Sequence, residues 1–195
     1  MPVVSPPTAK KLSGVAWVSE FPTSRSVEDL ADPFRINVKN FLAAITAAGG
    51  KHKIAATRRP KERAFLMHWS FKVASGVTAP EDVPAMTGVN IEWVHTDVGG
   101  KKNTVASKKA AQEMVAGYDI AFAPALRSHH IAGVALDMSI SWTASELKIK
   151  DGKNNEVVIK GAAKNGANTE LHAVGKSYGV IKLVSDPPHW SADGR

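Results

Sequence analysis

The chain contains no cysteine, which excludes both a disulfide framework and a thiolate metal site. Any metal it binds is held by histidine and carboxylate, a donor set that suits zinc in a catalytic site better than in a structural one. A cysteine-free chain folds equally well in reducing and oxidising surroundings, so this absence leaves the compartment open. No stretch approaches the roughly 18–20 apolar residues of a membrane span. The N-terminal run MPVVSPPTAKKLSGVAWVSEFP also lacks an apolar core long enough for a signal peptide. The expectation is a soluble chain made in the cytoplasm, without a signal peptide and without a membrane span. Internal repeats, low-complexity tracts and nucleic-acid-binding motifs are likewise missing.

What is present suffices for a real core. The 195 residues are 44% hydrophobic, enough to fold as one domain with a tail and without crosslinks. The formal charge is +7, with a sequence pI near 9.6. Basic residues are scattered (Lys10-Lys11, Arg58-Arg59, Lys101-Lys102, Lys108-Lys109) and are not interleaved with stacking aromatics. Nucleic acid is therefore not the indicated partner. Attraction to an anionic polymer such as a cell envelope accounts for the charge, and so does solubility alone.

Residues 1–25 are rich in proline, serine and threonine and read as an extended arm; residues 26–195 read as the folded domain. Asp32 is placed as an N-cap with Pro33 at the first helical position. Phe34, Val38, Phe41, Leu42 and Ile45 follow at helical spacing until Gly49-Gly50. Lys53–Thr57 reads as a short strand. A second helix opens at Pro60 with Ala64, Met67, Phe71 and Ala74 on one face, and Val89–His95 reads as a strand. A third helix is expected over Thr104–Val115, a hairpin over Leu147–Ile149 and Val157–Ile159, and a short helix over Asn168–Lys176. From Val134 to Ile140 residues alternate: Val134, Leu136, Met138 and Ile140 face the core, and Ala135, Asp137 and Ser139 face the other way. Helices and strands mix without a βαβ rhythm, which argues α+β, a mainly antiparallel central sheet flanked by helices.

The chemistry concentrates in Leu126–Ile140, LRSHHIAGVALDMSI. His130 offers an imidazole nitrogen and Asp137 a carboxylate oxygen, both zinc donors. Asp137 lies on the small-residue face of its strand, where an ion and a substrate have room. Gly133 permits a bend that brings His130 alongside it. A third ligand comes from Asp186-Pro187-Pro188-His189-Trp190, where the prolines stiffen the segment that carries His189. Asp186 stands three residues before His189 and needs a turn to face the same pocket, where it acts as general base.

Ser128-x-His130-x-x-Gly133-x-Ala135-x-Asp137, followed by Asp186-x-x-His189, resembles the zinc D-alanyl-D-alanine peptidase family. That family includes D-Ala-D-Ala dipeptidases and carboxypeptidases and the L-alanyl-D-glutamate endopeptidases of phage endolysins, and shares its fold with the hedgehog signalling domain. The resemblance spans about residues 33–193 and implies that His130, Asp137 and His189 bind Zn2+ while Asp186 is the base. The family's acid is often glutamate, so aspartate is a mild departure. Its substrate-contacting arginine matches Arg59 in Thr57-Arg58-Arg59-Pro60, although Arg58 stands where an aromatic is usual. Ser128, Arg127 and Trp190 are read as substrate-binding or ligand-orienting residues.

The implied substrate is the peptidoglycan stem peptide, cut by an endopeptidase of endolysin or antibacterial-effector type acting on the cell wall. Delivery then requires a holin or a secretion system, and an effector implies an immunity protein. The alternatives are a D-Ala-D-Ala carboxypeptidase or dipeptidase, or a non-catalytic zinc-stabilised wall-binding module. His129 rivals His130 as ligand, Glu170 rivals Asp186 as base and Arg127 rivals Arg59. His68, His95, Trp93 and Trp142 are read as packing residues, and Asp193-Gly194-Arg195 as a frayed end.

Overall fold

Local sequence signals account for most elements of the computed structural model, which describes residues 9–195. In chain order these are β1 (Lys11–Leu12), α1 (Phe34–Ala47), β2 (Lys51–Ala56), α2 (Lys61–Ala74), β3 (Ile91–Glu92), α3 (Thr104–Tyr118) and α4 (His129–Ala132). There follow β4 (Ala135–Ser141), β5 (Leu147–Lys150), β6 (Glu156–Ile159), α5 (Thr169–Ser177), β7 (Ile181–Lys182) and β8 (His189–Ser191). They form two compact units. One unit is built from residues up to Pro22 together with Pro60–Leu126, the other from Thr23–Arg59 together with Arg127–Arg195. A unit interrupted by another leaves no compositional linker for the sequence to reveal. Among the described residues, no helix is long and apolar enough to cross a membrane.

In the first unit, Phe65, Leu66, Met67 and Val73 of α2 share a core with Ala111, Met114 and Tyr118 of α3 and with Trp17, Ile91 and Trp93. The buried stripe of α2 is wider than expected: Ser70 and Val73 are buried, whereas Phe71 and Ala74 are only partly so. Residues 1–8 of the expected arm lie outside the described residues. The remainder is not simply extended, because β1 pairs in parallel with β3 and buried Trp17 donates from Nε1 to the Leu12 carbonyl. The strand expected over Val89–His95 shortens to β3. Side chains take the next amides: Glu92 accepts from Val94 N–H and Ser107 from His95 N–H, which competes with a strand ladder.

The second unit is arranged around a four-stranded sheet in the order β2-β4-β8-β7, antiparallel throughout. Alternation places Leu136, Met138 and Ile140 in the core with Phe34, Val38, Phe41 and Ile45 of α1 and Leu171 and Val174 of α5. The β5–β6 hairpin adds Leu147, Ile149 and Ile159. Trp190 of β8 is fully buried, its ring 5.6 Å from that of Phe41. The start of α1 differs from expectation: Pro33 is the cap residue and no side chain caps the helix. Asp32 instead accepts from Arg35 Nε and Nη2 at 3.1 and 2.6 Å. Asn168 does cap α5, accepting from Leu171 N–H.

Gly175, inside α5, lies where the helix approaches Trp190 of the sheet closely. A Cβ there would lie 2.8 Å from the Trp190 ring and from the Val180 carbonyl oxygen, and 3.3 Å from the Phe41 ring. In an open helix, glycine to alanine stabilises by about 0.5–1 kcal/mol. Here the sign reverses: Gly175→Ala is expected to destabilise by about 1–3 kcal/mol through overpacking, read as a lower urea midpoint at unchanged slope.

Candidate metal centre

Register brings the site together. Asp137 of β4 lies directly across from His189 of β8. The bonded positions of this ladder are marked by Met138 N–H to the Pro188 carbonyl (2.9 Å) and Ala192 N–H to the Val134 carbonyl (3.0 Å). Asp137 and His189 therefore form a non-hydrogen-bonded pair, the type in which opposing side chains lie closest. Successive residues face opposite sides, so the same register that presents His189 buries Trp190. Trp190 is thus a core residue and does not line a substrate groove.

His130 arrives from α4. Ser128 caps this helix, its Oγ accepting from Ile131 N–H at 3.3 Å, so its hydroxyl is engaged with the backbone. Gly133 ends the turn with φ +75, and a Cβ there would lie 3.1 Å from Ala31 N. Only glycine meets both constraints without strain, and the chain then turns into β4 with His130 beside Asp137. His130 Nε2 is 3.3 Å from Asp137 Oδ1, and His189 Nδ1 is 3.2 Å from the same oxygen. The ligand atoms of all three lie within 4.8 Å of one another. Both histidines are buried, and Asp137 is half-buried.

The far side of each ring fixes which nitrogen faces inward. His130 Nδ1 meets the Thr57 carbonyl at 2.7 Å and His189 Nε2 meets the Arg195 carbonyl at 3.2 Å. A carbonyl only accepts, so these nitrogens carry the protons and the neutral rings turn lone pairs towards Asp137. Lone pairs of two nitrogens and a carboxylate oxygen thus converge, which calls for a cation or a proton. The donor set, two imidazoles and one carboxylate, fits zinc with positions left for water or substrate.

Thr57 is itself held, its N–H donating to the Ser24 carbonyl and its Oγ1 to the Ser26 carbonyl. A β-bulge shifts the β2 register between Ile54 and Ala56, where Ala56 comes opposite Asp137. Arg59 is tethered to the centre through its backbone, N–H to the His130 carbonyl at 3.0 Å. Arg127 is exposed.

Asp186 lies in a turn, with His189 N–H donating to the Asp186 carbonyl at 3.0 Å. Its exposed carboxylate is not one of the converging ligands. Buried Lys182 clamps this turn: Nζ donates to the carbonyls of Leu183, Asp186 (2.6 Å) and His189 (3.1 Å). Burial pushes the Lys182 ammonium below its ordinary pKa, against the opposing charges of Asp186 and Asp137. Lys182, Thr57 and Arg195 were missed from the sequence. Only Lys182 left a signal, a lone lysine amid the apolar run VIKLV.

The rival residues are occupied elsewhere. His129 Nε2 pairs with Asp193 at 3.1 Å. Glu170 accepts from Lys160 and Gly161 N–H. His68 Nδ1 contacts the Pro124 carbonyl and His95 Nε2 contacts Ser13 Oγ. The expected frayed end is tied down instead, with Gly194 and Arg195 N–H both donating to Ser191 Oγ.

No family model matches the chain, and no curated protein does. Among solved structures, a mutant of the vancomycin-resistance D,D-pentapeptidase VanY from a VanB-type resistance cassette, in complex with Zn(II), matches at 13% identity. The match covers 89% of this chain and 80% of that one, with a TM-score of 0.33, too low to establish a common fold.

Burial disfavours the Asp137 carboxylate, but without a metal the hydrogen bonds and charge that His130 and His189 supply when protonated outweigh it and hold its pKa well below the usual range. The Asp137 bond raises His189 against its own burial. In metal-free protein the depressed Asp137 stabilises above the ordinary carboxylate pKa and is lost as pH falls. The raised His189 stabilises below the ordinary imidazole pKa and is lost as pH rises through its elevated value. NMR titration of the metal-free chain is expected to place His189 above ordinary imidazole, and Asp137→Asn to remove that elevation. Metal analysis after dialysis should find His130→Ala empty and His129→Ala loaded. The reverse result would reassign the ligand.

Proposed function

We propose that the chain is a zinc peptidase acting on the stem peptides of bacterial peptidoglycan. The observation that carries this reading is the convergence of His130 Nε2, Asp137 Oδ1 and His189 Nδ1 with an acid, Asp186, one turn away. The segment pattern that resembles the D-alanyl-D-alanine peptidases supports the same reading, including that family's fold. His130, Asp137 and His189 would hold a zinc ion, which would supply an acidified water and a polarised carbonyl.

The remaining work falls to the chain's own residues. Asp186 takes a proton from the attacking water and returns it to the departing amine. An exposed carboxylate retains the mobility that such a transfer needs, while Lys182 fixes its backbone. Arg59, tethered to the His130 carbonyl, supplies positive charge where the scissile carbonyl becomes anionic. The Thr57 and Arg195 carbonyls hold the two imidazoles in the tautomers that present lone pairs. The DPPHW segment, similar to that of endolysin members, favours an endopeptidase over a carboxypeptidase.

Asp186→Ala is expected to keep its metal and lose about 10²–10⁴-fold in kcat. The assay is release of new amino groups from purified peptidoglycan, with mass analysis of muropeptides to name the bond. Undiminished hydrolysis by the variant would remove Asp186 as the base. A zinc-loaded wild type that releases nothing from any wall chemotype would leave a binding module.

A further inference from the structure

The edge of β4 that faces β8 is interrupted just beyond the metal ligands. Met138 N–H bonds the Pro188 carbonyl at 2.9 Å, and two residues on, the Ile140 carbonyl accepts from Gly166 N–H at 3.2 Å. In a strand the N–H and C=O of one residue point to the same edge. The Met138 carbonyl and the Ile140 N–H are therefore directed into the interval between Pro188 and Gly166. Neither is completed by the residue opposite. Pro188 has no N–H to return to Met138. The Gly166 carbonyl is taken by His172 Nε2 at 2.9 Å. Met138 and Ile140 are only 1% and 2% exposed, a depth at which backbone groups are nearly always paired.

A mostly apolar cavity of 430 Å³ opens at this interval, with Ser139, Ala167, Val184, Pro187 and Pro188 in its walls. Its position is set by the same two strands as the metal centre. Met138 follows the ligand Asp137, and Pro188 precedes the ligand His189. Ser139 lies on the same face of β4 as Asp137. Lys182 also lines the cavity, but its ammonium is committed to the carbonyls of Leu183, Asp186 and His189.

We infer that this gap is a peptide subsite. It takes one residue of an extended peptide, whose N–H donates to the Met138 carbonyl and whose carbonyl accepts from Ile140 N–H. These are the two bonds a parallel neighbour makes to the residues flanking Ser139. The gap is closed at both ends by Pro188 and Gly166, so only one residue pairs and the chain then leaves the sheet edge. Its side chain meets Pro187, Pro188, Val184 and Ala167, walls that accept a small apolar group and penalise a charged one. The inference rests on the peptidase reading of the metal centre and deepens it, by naming how the substrate chain is gripped beside the ligands.

The test uses the full chain as its zinc-loaded Asp186→Ala variant and the synthetic stem pentapeptide L-Ala-γ-D-Glu-L-Lys-D-Ala-D-Ala. At saturation the Ile140 amide resonance is expected to move downfield and its hydrogen exchange to slow at least tenfold. Replacing the peptide amides one at a time by esters should find one position that weakens binding by about fivefold or more, the worth of a single hydrogen bond. Ala167→Phe, at an exposed position, should fill the cavity and weaken binding at least tenfold without changing zinc stoichiometry, whereas Ala167→Ser should not. Binding that leaves the Ile140 amide and the Ala167→Phe affinity unchanged overturns the subsite and leaves the metal-centre reading intact. A pentapeptide that neither binds nor is cut by zinc-loaded wild type overturns the peptidase reading, and the subsite with it.

Discussion

The pairing of β4 with β8 is the constraint on which the rest depends. It sets Asp137 and His189 opposite one another at a position where no backbone bond separates their side chains. A slip of one residue would exchange His189 for Trp190 on that face. The core enforces the register from the other side, because fully buried Trp190 fits against Phe41 and the close approach of Gly175. Packing and ligand placement are thus the same fact seen from two faces of one strand.

Around that pair, every further element restricts the freedom of one atom. Ser24 and Ser26 fix Thr57, whose carbonyl orients His130. Lys182 gathers the carbonyls of the turn that carries Asp186 and leads into His189. Ser191 gathers the amides of Gly194 and Arg195, and the Arg195 carbonyl orients His189. The orienting contacts are backbone carbonyls, which suits a centre whose ligands must be held without adding charge.

The converging trio was legible because its signals are side-chain identities at short spacing: His130 to Asp137 across one glycine bend, and His189 behind two prolines. The α+β class and antiparallel sheet were legible from alternation in β4 and from the β5–β6 hairpin. What the sequence hid is long-range and carried by backbone. Nothing in the residue types says that Thr57 presents its carbonyl to His130, or that Arg195 returns to His189. The tryptophan adjacent to a ligand looked like a groove residue, and only strand alternation decided otherwise. Asp32 before proline looked like a helix cap, but Arg35, three residues on, bonds its carboxylate first. The division into two units left no mark because their segments alternate along the chain.

That alternation has a consequence for how the sheet comes together. As synthesis proceeds, β2 emerges first, and all of Pro60–Leu126 follows before its partner β4 exists. During that interval β2 is an open strand with both edges bare, the condition under which nascent chains mispair or aggregate. Closing β2 onto β4 then carries the loop entropy of everything between them. The last strand, β8, brings the final ligand. An ion held by this trio would therefore add its stabilisation by mass action only once the sheet has closed.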